Sequence, residues 1–204
     1  LADVDAHLAR IGDRLAAILV EPVVGNMGLV LPEPGFLDGL QQRSSARGAL
    51  LIFDEVITWL RLGLGGAQAR LNVVPDLTTI GKILGGGFPL AAFGGRADVM
   101  TVLAPDGPCF TGGTHAGNPF AVAMGLRVLD HLESQPDLYL EMDRRARALA
   151  DGLRTTLRDL GLDYAVLQLE SIVDFKFRPG PPTRSYDDQQ RDDQRAYAAF
   201  YWQM

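Results

Sequence analysis

Two residues in this chain have the types and settings for one particular chemistry. Asp54 closes the apolar run Leu50-Leu51-Ile52-Phe53. Lys82 follows in Thr78-Thr79-Ile80-Gly81-Lys82-Ile83-Leu84-Gly85-Gly86-Gly87. A carboxylate at the end of a buried strand can hold a pyridine nitrogen protonated. A lysine amine on a nearby glycine-rich loop can form an imine with an aldehyde. Together they describe a site for pyridoxal 5'-phosphate, in which the lysine carries the cofactor and the acid keeps the ring an electron sink.

Each residue also has an ordinary reading. Acids at strand ends often cap the next helix or serve a turn. Four apolar residues followed by Asp54-Glu55 also look like the metal-binding strand of a nucleotide hydrolase. That reading needs a Gly-x-x-x-x-Gly-Lys-Ser/Thr loop, and here Gly81-Lys82 is followed by Ile83, which supplies no hydroxyl for a metal. Lys82 is the more distinctive of the pair. The only other lysine is Lys176, and the remaining basic positions are arginine. Ile80, Ile83 and Leu84 around Lys82 argue against full exposure. Partial desolvation would lower its pKa toward the free amine that an imine requires.

The elements that must position this pair can be read from periodicity. Residues 15–20 form a short continuous apolar run, as expected of a strand covered on both faces. Glu21-Pro22 ends it, and Gly25-Asn26-Met27-Gly28 reads as a loop. A helix follows Pro34-Gly35, with Phe36, Leu37 and Leu40 as its apolar positions and a stop near Gly48. Residues 49–53 read as a second buried strand, 76–80 as a third and 89–94 as a fourth. Gly63-Leu64-Gly65-Gly66 is too irregular for a strand. Helices are expected over 96–103, 118–134 and 138–160. Strands alternating with helices argue for an α/β fold with a mostly parallel sheet flanked by helices. In such sheets ligands bind beyond the strand C-termini, where Glu21 and Asp54 fall.

After residue 160 the character changes. Residues 171–177 alternate with period two, typical of a strand with one solvated face, and a polar helix starts near Tyr186. The division expected is 1–160, the major part of a cofactor-binding large domain, and 161–204, the beginning of a smaller α+β domain. The chain opens on a helical pattern without an initiator methionine and closes inside another, so it reads as an internal fragment.

Composition bounds the partners. With 204 residues, 47% of them hydrophobic, the chain can bury a real core. A net charge of −6 argues against nucleic acid or an anionic membrane surface as partner. No apolar stretch approaches the roughly 18–20 residues of a membrane span. Cys109 is the only cysteine, which fits a reducing compartment such as the cytoplasm. Its expected role is that of a small, inert core residue.

Several segments resemble one known group. They are Val20-Glu21-Pro22-Val23-Val24-Gly25-Asn26-Met27-Gly28, Phe53-Asp54-Glu55-Val56, Pro75-Asp76-Leu77-Thr78-Thr79-Ile80-Gly81-Lys82, Gly85-Gly86-Gly87-Phe88-Pro89 and Gly113-Thr114-His115-Ala116-Gly117-Asn118-Pro119. Residues 15–133 closely resemble the class III, fold type I family of pyridoxal-phosphate aminotransferases, and within it the glutamate-1-semialdehyde 2,1-aminomutase branch. Residues 161–204 resemble the start of that family's C-terminal domain.

The resemblance implies roles. Lys82 would form the imine with the cofactor and then move protons between substrate and cofactor carbons. Asp54 would pair with the pyridine nitrogen, and Val56, on the same face if the strand continues, would pack on the ring. Asn26 would contact the phenolic oxygen edge or orient Asp54, although an αL turn residue between two glycines explains it equally well. Thr114 would donate to the phosphate across a homodimer interface; its ordinary reading is a helix N-terminal residue. Glu21 is either a site acid or a strand-end acceptor, and His115 reads as structural. His7 and His131 read as helix-surface residues, and Arg144, Arg145, Arg147 and Arg154 as a solvated helix face.

The function implied for the intact protein is intramolecular amino transfer, glutamate-1-semialdehyde to 5-aminolevulinate, feeding tetrapyrrole synthesis. The alternatives are an aminotransferase acting on a β- or ω-amino acid and a non-catalytic fragment or dimerisation module. These 204 residues alone are expected to be inactive, because the segments supplying most of the phosphate cup and the carboxylate-binding residues are not among them. Two departures from the family pattern bear on the substrate. Trp59 and Leu60 precede Arg61 where the family usually has Gly-Phe, and Phe110 stands where the aminomutase branch often has tyrosine. A tryptophan in a glycine position is expected to alter the local backbone or the pocket wall.

Overall fold

The computed structural model describes residues 1–204. The chain forms two compact units, one of residues 1–22 and 32–135, the other of residues 23–31 and 136–204.

The first unit is built on helix α1 (Ala2–Ile11), strand β1 (Ala17–Val20), helix α2 (Phe36–Ser45), strand β2 (Leu50–Asp54), helix α3 (Gly66–Leu71), strands β3 (Leu77–Ile80) and β4 (Ala92–Gly95), the single turn α4 (Ala97–Met100) and helix α5 (Pro119–Ser134). The strands lie in the order β1-β2-β3-β4. The pairs β1–β2 and β2–β3 are parallel, and β3–β4 is antiparallel. This is the expected α/β fold with a mostly parallel sheet. The expected helix over 96–103 is shorter, and the glycine-rich segment leads directly into α3.

One face of the sheet carries the core. Leu51 and Phe53 are fully buried against Leu37, Leu40 and Val73, with Ile18, Val20, Phe36 and Leu71 packed around them. Burying each of the large side chains contributes about 1.5–3 kcal/mol. The opposite face is open: Leu19 on β1 is 64% exposed. The continuous apolar run at 15–20 therefore marks a strand covered by this chain's own residues on one side, not two.

The second unit contains helix α6 (Leu138–Asp159), the antiparallel strands β5 (Tyr164–Leu169) and β6 (Ile172–Pro179), the turn α7 (Tyr186–Gln189) and helix α8 (Gln194–Gln203). Residues 23–31 belong to it as a tight hairpin, in which Val24 and Val30 exchange N–H···O bonds of 3.0 and 3.1 Å. The α6 helix belongs to this compact unit and packs on the β5–β6 hairpin. Phe200 and Tyr197 of α8 stack edge-on against Phe175 and Phe177 of β6. The other side of β6 departs from expectation. The period-two pattern of residues 171–177 predicts a solvated polar face, yet Lys176 on that face is only 3% exposed, because the hairpin at 23–31 and the segment around Gln189 and Asp192 cover it. Arg144, Arg145, Arg147 and Arg154 of α6 are exposed and paired along the helix with Glu141, Asp143 and Asp151.

Candidate active site

The carboxyl ends of β2 and β3 bring the chemistry-bearing residues together. Asp54 is the last residue of β2 and lies in register with Thr79 of β3. Its Oδ1 accepts the Val56 N–H at 3.0 Å and the Thr79 hydroxyl at 3.4 Å. The Val56 bond closes a local turn that ends the strand. Val56 is therefore not a continuation of β2, as the same-face argument assumed. It is nevertheless placed beside the lysine loop, since a Cβ added at Gly81 would lie 3.5 Å from Val56 Cγ1.

Lys82 opens a 3₁₀ turn, Lys82–Gly85, immediately after β3. Its φ is +47°, a left-handed conformation that costs a non-glycine residue roughly 1–2 kcal/mol. Such strain concentrates at functional positions. Lys82 is exposed. The desolvation expected from its apolar neighbours does not occur within this chain, because burial falls on Leu84 and Gly85 instead. Helix α5 holds the turn from behind. Gly125 permits the close approach: a Cβ there would sit 3.0 Å from the Leu84 carbonyl oxygen and 2.5 Å from Leu90 Cδ2.

Thr114 and His115 are both exposed, in the turns before α5. The helix cap is Asn118, whose Oδ1 accepts from Phe120 and Ala121 N–H at 3.0 and 3.2 Å, so Thr114 is not the helix N-terminal residue of its ordinary reading. Asn26 lies exposed in the hairpin of the second unit, between Gly25 and Gly28, which bond to each other across 3.3 Å. Glu21 is half-buried just after β1.

In the segment after Val56 the left-handed backbone falls on Leu60, at φ +62°, and not on Trp59. The indole N–H of Trp59 donates to the Leu64 carbonyl at 3.0 Å and closes the following loop. Cys109 is exposed and not a core residue, because it sits in a surface turn whose main chain bonds back to Val102 and Ala104.

Glu55 was not singled out by sequence, and it is the most heavily bonded carboxylate of the first unit. It is fully buried. It accepts from the Thr58 hydroxyl at 2.9 Å, Ala67 N–H at 2.5 Å, and Gln68 N–H and Nε2 at 3.1 and 3.2 Å. It caps the start of α3 and so fixes the chain just beyond Asp54. A Glu twelve residues before its main-chain partner gives no sequence signal of this.

The donor set fits pyridoxal 5'-phosphate. Both protein bonds of Asp54 go to Oδ1, which leaves Oδ2 for a pyridinium N–H. The Lys82 amine is accessible, and an apolar side chain, Val56, stands by the same turn.

Residues 1–169 match the family described as aminotransferase class III. The chain belongs to this family. It is 48% identical to a glutamate-1-semialdehyde 2,1-aminomutase of Pyrobaculum calidifontis over 181 residues, 87% of this chain and 41% of that protein. Among solved structures it resembles a β-phenylalanine aminotransferase from Variovorax paradoxus, at 35% identity and a TM-score of 0.86, covering 97% of this chain and 45% of that one. It also resembles a glutamate-1-semialdehyde aminomutase from Pseudomonas aeruginosa PAO1 in complex with PMP, at 29% identity and a TM-score of 0.74, covering 88% and 41%. The chain thus spans less than half the length of these relatives.

Proposed function

We propose that the intact protein is a pyridoxal-phosphate enzyme that converts glutamate-1-semialdehyde to 5-aminolevulinate by intramolecular amino transfer. The observation that carries this reading is the placement of Asp54, its Oδ2 open, in register with Thr79, three residues before the strained and accessible Lys82. When bound, the cofactor supplies an aldehyde for the lysine and a ring that withdraws electrons from the substrate carbon. The chain's own residues do the rest. Asp54 Oδ2 accepts the pyridinium N–H and keeps that proton in place, a charge-assisted bond stronger than a neutral one. The Lys82 amine would hold the cofactor and, as a free amine, would move a proton between neighbouring carbons. Val56 packs on the ring face, Asn26 serves its oxygen edge, and Thr114 donates to the phosphate across a homodimer interface. In the whole protein, residues 1–160 make up most of the cofactor domain and 161–204 begin the C-terminal one, in a cytoplasmic enzyme.

The name borne by the Pyrobaculum relative and the Gly25-Asn26-Met27-Gly28 loop support the aminomutase. A second reading has its own support: the Variovorax aminotransferase is the nearer of the two solved neighbours reported above in both identity and TM-score, and Trp59 and Phe110 depart from the aminomutase pattern. Single-substrate turnover separates them. A mutase returns the amine to the same carbon skeleton and needs no second keto acid, whereas an aminotransferase shows ping-pong kinetics. We expect the amine form of the holoenzyme to convert glutamate-1-semialdehyde with no added donor or acceptor. Product that forms only with a keto acid and an amine donor would replace the mutase reading with the aminotransferase.

A further inference from the structure

The Gly25–Gly28 turn is tied to a distant strand by side chains. Inside the Val24–Val30 bridge the Gly28 N–H donates to the Gly25 carbonyl at 3.3 Å and Asn26 bridges to Gly28, and two glycines make the segment entropically costly to order. Two of its remaining polar groups are satisfied by side chains of β6, about 145 residues further along the chain. The Met27 carbonyl accepts from Lys176 Nζ at 3.0 Å, and the Leu29 N–H donates to Asp174 Oδ2 at 2.9 Å. Asp174 and Lys176 stand on the same face of β6 and pair with each other at 3.1 Å. Gly28 fits against this pair at φ +87°; a Cβ there would overlap Lys176 Nζ and come within 2.7 Å of Asp174 Oδ2. A cavity of about 260 Å³ bordered by Asn26, Met27, Gln189 and Tyr197 lies beside the turn. The clamp therefore ties both sides of Gly28 to β6.

A buried lysine is a poor way to gain stability. Its side chain is 4% exposed, and ion pairs at such sites often contribute less than apolar residues of the same volume, while specifying one geometry. Here the three ammonium hydrogens have three acceptors, Asp174, the Met27 carbonyl and Gln189 Oε1 at 3.0 Å. Asp192, itself paired with Arg178 at 3.1 Å, stands a further 3.9 Å from the ammonium. What this arrangement specifies is the course of the chain on either side of Asn26.

We infer that Asp174 and Lys176 are positioning residues, which hold the Gly25–Gly28 turn so that Asn26 is presented in one conformation to the cofactor. This deepens the reading proposed above and rests on it for the role of Asn26.

The test uses the intact protein with Lys176→Met, which keeps the side-chain length without the charge. Asp174→Asn, which retains an oxygen for the Leu29 N–H, serves as the conservative partner and as the fallback should the first variant not fold. In the cofactor-free protein, amide hydrogen exchange at residues 27–29 should quicken by about tenfold in Lys176→Met, as for loss of one buried bond to a charged group. Amides of β5 and β6 should keep their protection, and Asp174→Asn should retain most of it at Leu29. In the holoenzyme, Lys176→Met should lower kcat and shift the visible absorption of the cofactor in the same sense as Asn26→Ala. Unchanged exchange at residues 27–29 would overturn the positioning role whatever the enzyme does. Faster exchange with kcat and spectrum unaltered, where Asn26→Ala alters both, would overturn it also. An Asn26→Ala variant indistinguishable from wild type would show that the role given to Asn26 had failed first, and the inference would fall with it.

Discussion

Asp54→Asn isolates the electrostatic part of the proposed site from its structural part. Both protein bonds of Asp54 converge on Oδ1, from Val56 N–H at 3.0 Å and the Thr79 hydroxyl at 3.4 Å. An asparagine with its carbonyl oxygen at that position keeps both, and its NH2 group then takes the place of Oδ2. The fold should therefore lose less than about 0.5 kcal/mol, as expected for a substitution that breaks no buried bond. The functional cost is of a different size. A carboxylate and a pyridinium in hydrogen-bond contact, about 3 Å apart at an effective dielectric near 20, attract by roughly 5 kcal/mol before desolvation is subtracted. Removing one preorganised electrostatic contact from an active site typically costs about 3 kcal/mol, or a factor of roughly 100 to 1,000 in rate. The amide also presents a donor where the ring nitrogen needs an acceptor for its proton. The assay is kcat of the holoenzyme, with cofactor occupancy read from visible absorption and folding from a thermal melt. We expect near-normal occupancy and melting with the full loss in kcat. Turnover within about threefold of wild type at full occupancy, well under the loss expected, would refute the assignment of Asp54 to the ring nitrogen. Lost activity with an equally large loss of stability would refute the argument that Oδ1 alone serves the fold.

Three further predictions follow from the geometry. Borohydride reduction of the holoenzyme, followed by peptide mapping, should place the pyridoxyl adduct on Lys82 and not on Lys176, whose ammonium is buried among three acceptors; an adduct on Lys176 would reverse the assignment. Glu55→Gln should lower unfolding stability by about 2 kcal/mol, because an amide leaves at least one of the Ala67 and Gln68 main-chain N–H groups without an acceptor. The check is a lower denaturant midpoint at constant slope, and an unchanged midpoint would mean that Glu55 does not hold α3. The Arg144 and Arg145 guanidiniums hold the Glu141 carboxyl below the usual carboxylate range, and Arg147 does the same for Asp143. A carboxyl whose folded pKa is depressed adds stability above its unfolded pKa and loses it as pH falls through the folded one. The α6 helix should thus melt at a lower temperature near about pH 3 than near about pH 7, by less at high salt, and melting independent of pH would refute the contribution of these pairs.

Much of the first unit was legible because its signals are local. The apolar runs before Glu21 and Asp54 and the spacing of Phe36, Leu37 and Leu40 predict β1, β2 and α2 within a window of a few residues, and the structure places them there. The chemistry of Asp54 and Lys82 was equally readable, since residue type and immediate setting suffice to suggest it. Tertiary structure decided which faces those elements share and what covers them. No periodicity tells that β4 turns back antiparallel to β3, that Leu19 faces outward, or that Lys82 has a left-handed backbone and stays exposed among apolar neighbours. Glu55 meets Ala67 across 12 residues, and Lys176 meets Met27 across 149. A period-two pattern correctly set Asp174 and Lys176 on one face of β6 but called that face solvated, because alternation records only that a strand has two unlike sides. Whether the polar side meets water or another part of the chain depends on contacts distant in sequence, and these form only when the hairpin at 23–31 folds back to fill the lysine's hydrogen-bonding shell.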